Sequence, residues 1–227
     1  MDSIQSLPSL TPEQIRVLGA LMEKSKTTPD YYPMTLNGLA AACNQKTSRK
    51  PVVHYDESTI VKALNELKIA GLISTATGGS IRNVKYKHNF AIVYPLVPAE
   101  VAVMCLLFLR GPLTPGEINA HSGRLYEFET LEEVQQLLEK LASAQPAYIR
   151  QLPRRPGQKE QRYIHLFSNE EWQENEDDEM SNGEYTHALN GNARANTSAL
   201  EARLTQVEEE LAELKGRFEQ LMKELMG

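Results

Sequence analysis

The residues best able to hold a metal or move a proton are five histidines, His54, His88, His121, His165 and His187, and two cysteines, Cys43 and Cys105. No histidine lies three or four positions from another histidine or from a cysteine, so the ligand spacing of a zinc site is missing. The cysteines stand 62 positions apart without a pairing pattern. That excludes a disulfide scaffold and suits a reducing compartment. Cys105 sits in an apolar run and Cys43 closes a short helix, so both read as core residues. His88 and His165 occupy matching places in a repeat and read as structural. Glu132-Glu133 opens a helix, where carboxylates complement the dipole. There is no Gly-x-Ser-x-Gly, phosphate loop or dinucleotide fingerprint. The expectation is a non-enzymatic protein with no metal and no cofactor.

The basic residues carry more. Residues 1–168 hold 19 Lys+Arg and 15 Asp+Glu, a net of +4; residues 169–227 hold 5 and 15, a net of −10. A mildly basic body carries an acidic tail. Lys46, Arg49 and Lys50 fall between Asn44 and Tyr55 with no acid among them. Lys62 and Lys68 lie off the apolar face of a helix, beside Thr59 and Asn65 but also Glu57 and Glu66. Arg82, Lys85 and Lys87 follow in one hairpin. Arg150, Arg154, Arg155, Lys159 and Arg162 follow in another, against the single acid Glu160. Such clusters suit sequence-independent phosphate contact. The helix before the second hairpin carries Glu132, Glu133, Gln136, Glu139 and Lys140 and should be repelled by phosphate.

The elements that must position these residues recur in one order. Thr11-Pro12-Glu13-Gln14 is a capping box with proline at the first helical position. Ile15, Leu18, Leu21 and Met22 follow at helical spacing. Thr35–Cys43 and Asp56–Ala70 read as two further helices, and Gly71 ends the second. Leu72–Thr75 and Ile81–Tyr86 read as strands around Gly78-Gly79-Ser80. Pro98–Arg110 then repeats the first helix, and capping boxes at Thr114 and Thr130 open two more. Tyr148–Leu152 and Arg162–Phe167 make a second hairpin. Ile60, Leu64 and Leu67 match Val134, Leu138 and Leu141 at an offset of 74, and Tyr86–Phe90 matches Tyr163–Phe167 at 77. Three helices and a hairpin, twice over, spell two tandem winged helix-turn-helix domains. The expected fold is mainly α with small β-hairpins.

The expected organisation is an N-terminal tail at 1–10, winged-helix domains at 11–92 and 93–168, an acidic disordered linker at 169–198 and a coiled-coil helix at 199–227. In that last segment Leu200, Leu204, Val207, Leu211, Leu214, Phe218, Leu221 and Leu225 alternate by four and three. All eight seam positions are apolar, which predicts a homodimer through this helix. The longest apolar run, Val101–Leu109, has nine residues. A membrane span needs about 20. With no leader-like start either, a cytoplasmic protein is expected.

Several stretches resemble a bacterial family typified by YceH. They are Thr27-Thr28-Pro29 with Tyr32-Pro33, Ala42-Cys43-Asn44-Gln45-Lys46-Thr47, Arg49-Lys50-Pro51, Leu109-Arg110-Gly111-Pro112-Leu113-Thr114-Pro115-Gly116-Glu117, Arg124-Leu125-Tyr126-Glu127-Phe128 and Arg162–Phe167. The resemblance covers about 11–168. It implies a tandem winged-helix fold in a cytoplasmic bacterial protein and transfers no functional residues. The functional expectation is a DNA-associated, transcription-related protein contacting phosphates through its basic wings. The alternative is a protein–protein adaptor of the same fold that does not bind DNA.

Overall fold

Local chemistry sets where each helix begins. In the computed structural model, which describes residues 6–76, 84–154 and 160–168, α1 spans Pro12–Thr27. Thr11 Oγ1 accepts from Gln14 N–H at 3.4 Å, and Gln14 Oε1 accepts from Thr11 N–H at 2.9 Å. Thr35 caps α2 (Leu36–Cys43) and Asp56 caps α3 (Glu57–Ile69). A Schellman turn ends α3: Gly71, at φ 72°, donates to Lys68 O, and Leu72 donates to Leu67 O. Only glycine enters that left-handed conformation without strain. Thr114 and Glu117 form a reciprocal box at α6 (Pro115–Ser122). The box expected at α7 (Leu131–Ser143) is half made. Thr130 caps Glu133, but the Glu133 carboxylate reaches back to Glu129 N–H.

The strands are short. β1 (Met34–Thr35) and β2 (Ile73–Ala76) both pair antiparallel with β3 (Lys85–His88), giving the order β1-β3-β2. The hairpin's return strand was expected at Ile81–Tyr86. Among the described residues its paired part is Lys85–His88, with Ile73 opposite His88 and Ala76 opposite Lys85; residues 81–83 lie outside them. A short helix, α4 (Phe90–Val93), leads to α5 (Pro98–Arg110). After α6 and α7, β4 (Ile149–Gln151) pairs with β5 (Tyr163–His165). An isolated bridge joins Leu113 to Tyr163. It stands in the second half where β1 stands in the first. The described chain is thus mainly helical with two small antiparallel sheets, and its element order repeats.

The halves meet through their equivalent elements. α1 and α5 are buried on nearly every face over Gln14–Met22 and Ala99–Leu109, and they pack against each other. Helices apolar all round are interior helices. Gly19 makes the close approach: a Cβ there would stand 3.0 Å from Leu109 Cγ and 3.1 Å from Phe108 Cβ. The matched aromatics Phe90 and Phe167 touch at 5.4 Å, and Phe108 meets both edge-on. One continuous core results, larger than either half could bury alone. Among the described residues, no helix is long and apolar enough to cross a membrane.

Candidate nucleic-acid interface

The basic candidates of the first half sit on α3, on β3 and on the loop between α2 and α3. In α3, Ile60, Ala63, Leu64 and Leu67 face the core. The opposite line therefore runs Ser58, Lys62, Asn65 and Ile69, all exposed, with Lys68 exposed beside it. At the offset of 74, the corresponding line of α7 is Glu132, Gln136, Glu139 and Ser143, also all exposed. The two helices offer opposite charge. Lys87 is exposed on β3, and Lys85, on the same strand face, is half-buried.

The α2–α3 loop is built rather than loose. Asn44 clamps Tyr55 from both sides, donating to its carbonyl and accepting from its N–H, each at 2.8 Å. Arg16, buried on α1, donates to Cys43 O at 3.1 Å and Pro51 O at 2.6 Å. Lys50 N–H donates to Leu109 O at 2.8 Å, and Arg110 Nη2 donates to Ser48 Oγ at 2.9 Å, so the loop is tied to the second half.

Two candidates are corrected by burial. Arg49 does not face solvent: its side chain is 0% exposed and pairs with Glu23 at 2.6 and 3.0 Å. Its other N–H groups reach Ala42 O and Ser48 O. A bidentate carboxylate and two carbonyls occupy the guanidinium fork, so Arg49 holds the loop and leaves nothing for a ligand. Arg162 is also buried, and its carbonyl accepts from Leu152 N–H across the hairpin. Arg150 and Arg154 stay exposed on the second hairpin, and Lys46 on the first-half loop; Lys50 is half-buried. Arg82, Arg155, Lys159 and the heptad positions Leu200–Leu225 lie outside the described residues. Sequence reasoning missed Arg16, Glu23 and Asn44. Their partners are mostly backbone groups or distant in the chain, which no spacing signals.

Burial also sets the titrating groups. His88 is pushed down to about 4 by burial and by nearby Lys26, and His165 to about 4 by burial. Ser25 Oγ donates to Met22 O, which leaves His88 Nε2 to donate to Ser25 at 3.2 Å. His165 Nδ1 accepts from Phe167 N–H at 3.3 Å. Burial favours the neutral form of both rings. Burial raises the Cys43 thiol to about 12 and raises Cys105 as well, the opposite of an activated nucleophile. Burial raises Tyr32 to about 12, and its hydroxyl oxygen accepts from His88 N–H at 2.7 Å. That contact pins β3 to the segment before β1. Among the described residues, no three His, Cys, Asp or Glu side chains are grouped to hold a metal ion.

The model of the family described as "Protein of unknown function, DUF480" matches residues 10–158, which take in the first half, the junction and the second half up to its last strand. The chain belongs to this family. A UPF0502 protein of Shewanella sp. (strain W3-18-1) is 42% identical over 223 residues, covering 95% of this chain and 99% of the relative. Another from Shewanella loihica is 42% identical over 217 residues, covering 94% and 98%. A UPF0502 protein of Opitutus terrae is 48% identical over 164 residues, covering 72% of this chain and 71% of its own length. For this family member, then, the relatives' names carry no activity across, and the functional reading rests on the surface.

Proposed function

We propose that each half is a winged helix-turn-helix unit and that the first half contacts nucleic acid, DNA foremost, through phosphates. The repeated element order supports the fold reading, as do the two hairpins each bridged by a segment following the half's first helix. One observation carries the binding reading. Lys46, Lys62, Lys68 and Lys87 are exposed on the loop, the third helix and the hairpin of one half, and none pairs with a carboxylate among the described residues. Arg150 and Arg154 extend the cationic surface in the second half. The heptad segment at 199–227 would raise avidity by self-association.

The test is fluorescence anisotropy of a labelled random-sequence duplex titrated with full-length protein at several salt concentrations. Binding should weaken steeply with salt. Lys62→Glu with Lys87→Glu should weaken it further and lower the salt slope by about 1 for each phosphate that is no longer neutralised. A second set, Arg154→Glu with Arg155→Glu, probes the other hairpin. Absence of binding at low salt would remove this reading. The acidic outer line of α7 (Glu132, Gln136, Glu139) favours a second one, an adaptor that binds a protein chain and persists in salt.

A further inference from the structure

No charged residue occurs from Asn89 to Ala99, where the two halves join. This stretch is not hidden. Ile92 is 82% exposed, Val97 49% and Val93 39%, and Ala91, Pro95 and Pro98 are exposed with them. Ile69, the last residue of α3, is 88% exposed. Hydrogen bonds bring the two segments together. Asn89 N–H donates to Leu72 O at 2.7 Å, Asn89 Nδ2 donates to Gly71 O at 3.2 Å, and Ser74 Oγ donates to Asn89 Oδ1 at 3.0 Å. Ile69 precedes Gly71 by two residues, and Ile92 N–H bonds back to Asn89 O within one turn. The two most exposed isoleucines among the described residues therefore flank one hydrogen-bonded joint. Single exposed apolar residues need no explanation, but grouped ones mark interaction surfaces.

The rim of this patch is cationic. Lys68 adjoins Ile69, and Lys62 lies on the same outer line of α3. At the far end, Lys140 Nζ meets Glu100 Oε1 at 2.7 Å, and Glu100 Oε2 accepts from Val97 N–H at 2.9 Å. That ion pair takes up the Lys140 charge beside Val97, so among the described residues the free cations of the rim are Lys62 and Lys68. Two acids of these helices are engaged, whereas Glu57 and Glu139 are exposed. Glu100 is buried, and Glu66 Oε2 accepts from Gln14 Nε2 at 2.6 Å.

We propose that this patch docks an acidic amphipathic helix of a partner protein. Its apolar side chains cover Ile69, Ile92 and Val97, and its carboxylates meet Lys62 and Lys68. The shape follows helix-in-groove recognition, with apolar anchors three and four residues apart. The sign of the partner follows from the lysine rim. Such a helix reaches the line of α3 that carries Lys62, so it excludes a bound duplex. That exclusion rests on the nucleic-acid reading above, whereas the docking does not.

The test uses full-length protein and a labelled synthetic peptide with leucines at i, i+3, i+4 and i+7 and glutamates elsewhere. A control peptide carries lysines in place of the glutamates. The glutamate peptide should bind saturably and the lysine peptide should not. Ile69→Asp and Ile92→Asp should each weaken binding by about tenfold or more, with thermal midpoints unchanged because both side chains are exposed. The peptide should also displace a prebound random-sequence duplex. No saturable binding, equal binding of the two peptides, or binding indifferent to both substitutions overturns the docking. If the substitutions instead abolish self-association in sedimentation while no peptide binds, the patch belongs to a second copy and the proposal fails. Peptide binding without any duplex binding removes only the nucleic-acid reading; duplex binding without peptide binding removes only this one.

Discussion

Replacing Arg49 with methionine separates a brace from a contact. The substitution keeps length and apolar bulk while deleting the fork that serves Glu23, Ala42 O and Ser48 O. The Glu23 side chain, 14% exposed, keeps only Lys24, at 3.3 Å. Breaking a buried ion pair by removing one partner costs about 3–5 kcal/mol, because the remaining charge stays desolvated. For a folded unit of this size that lowers the thermal midpoint by on the order of 6–20 °C. Glu23→Leu combined with Arg49→Met removes the orphaned carboxylate and should recover part of the loss, with a coupling of about 1–3 kcal/mol. Lys46→Met, at an exposed position of the same loop, should stay within about 0.5 kcal/mol of wild type. Urea titrations followed by circular dichroism measure these proteins together with Glu23→Leu alone, which closes the cycle. The pair should also show itself in acid. Burial opposes ionisation of Glu23, but the Arg49 hydrogen bonds and the Arg49 and Lys24 charges prevail and hold its carboxyl below the ordinary range. Its contribution is then full above the unfolded carboxylate pKa and is lost as pH falls through the lower folded value. The reasoning is refuted if Arg49→Met is as stable as wild type while duplex binding and its salt slope both drop.

Three other outcomes follow from the packing. Because His88 and His165 titrate near 4 when folded against 6.5 when free, stability should be full above pH 6.5 and fall toward pH 4. Each should contribute up to about 1.4 kcal/mol per pH unit; urea midpoints across that window should flatten when both are changed to glutamine. Gly19→Ala should destabilise by about 1 kcal/mol in thermal melts: the helix-propensity gain of about 1 kcal/mol is outweighed by crowding of about 1–3 kcal/mol, since Phe108 Cβ cannot rotate away. Asn44→Ala should cost about 1–3 kcal/mol by leaving the Tyr55 N–H and carbonyl without their side-chain partner, read as faster amide exchange at Tyr55.

Elements whose start signals and periodicity are local were legible. The helices at Pro12, Glu57, Pro98, Pro115 and Leu131 begin one residue after the Thr, Asp or Val that precedes them, and α3 stops at the glycine that ends it. The repeat was legible because both copies keep the same apolar positions. β1 was not, because two residues carry no period and Met34–Thr35 is a strand only by virtue of lying beside Tyr86 and Lys85. The paired part of β3 likewise follows from its neighbours. Of the candidate residues, the lysines on the outer line of α3 were placed by helical spacing, as was the acidity of α7.

What the sequence determined by itself, then, is the inventory: which segments are helices, which recur, and where charge accumulates along the chain. Only the tertiary structure decided which charges remain available. Arg49 and Lys46 are three residues apart in one basic loop, yet Glu23, 26 positions upstream, buries the first and leaves the second in water. In the same way, Ile69 and Ile92, 23 positions apart, flank one joint only because Asn89 bonds to Gly71 and Leu72. The physical reason is the same in each case. Helix formation is written in interactions three and four residues apart, whereas burial depends on which distant surfaces come to share one core.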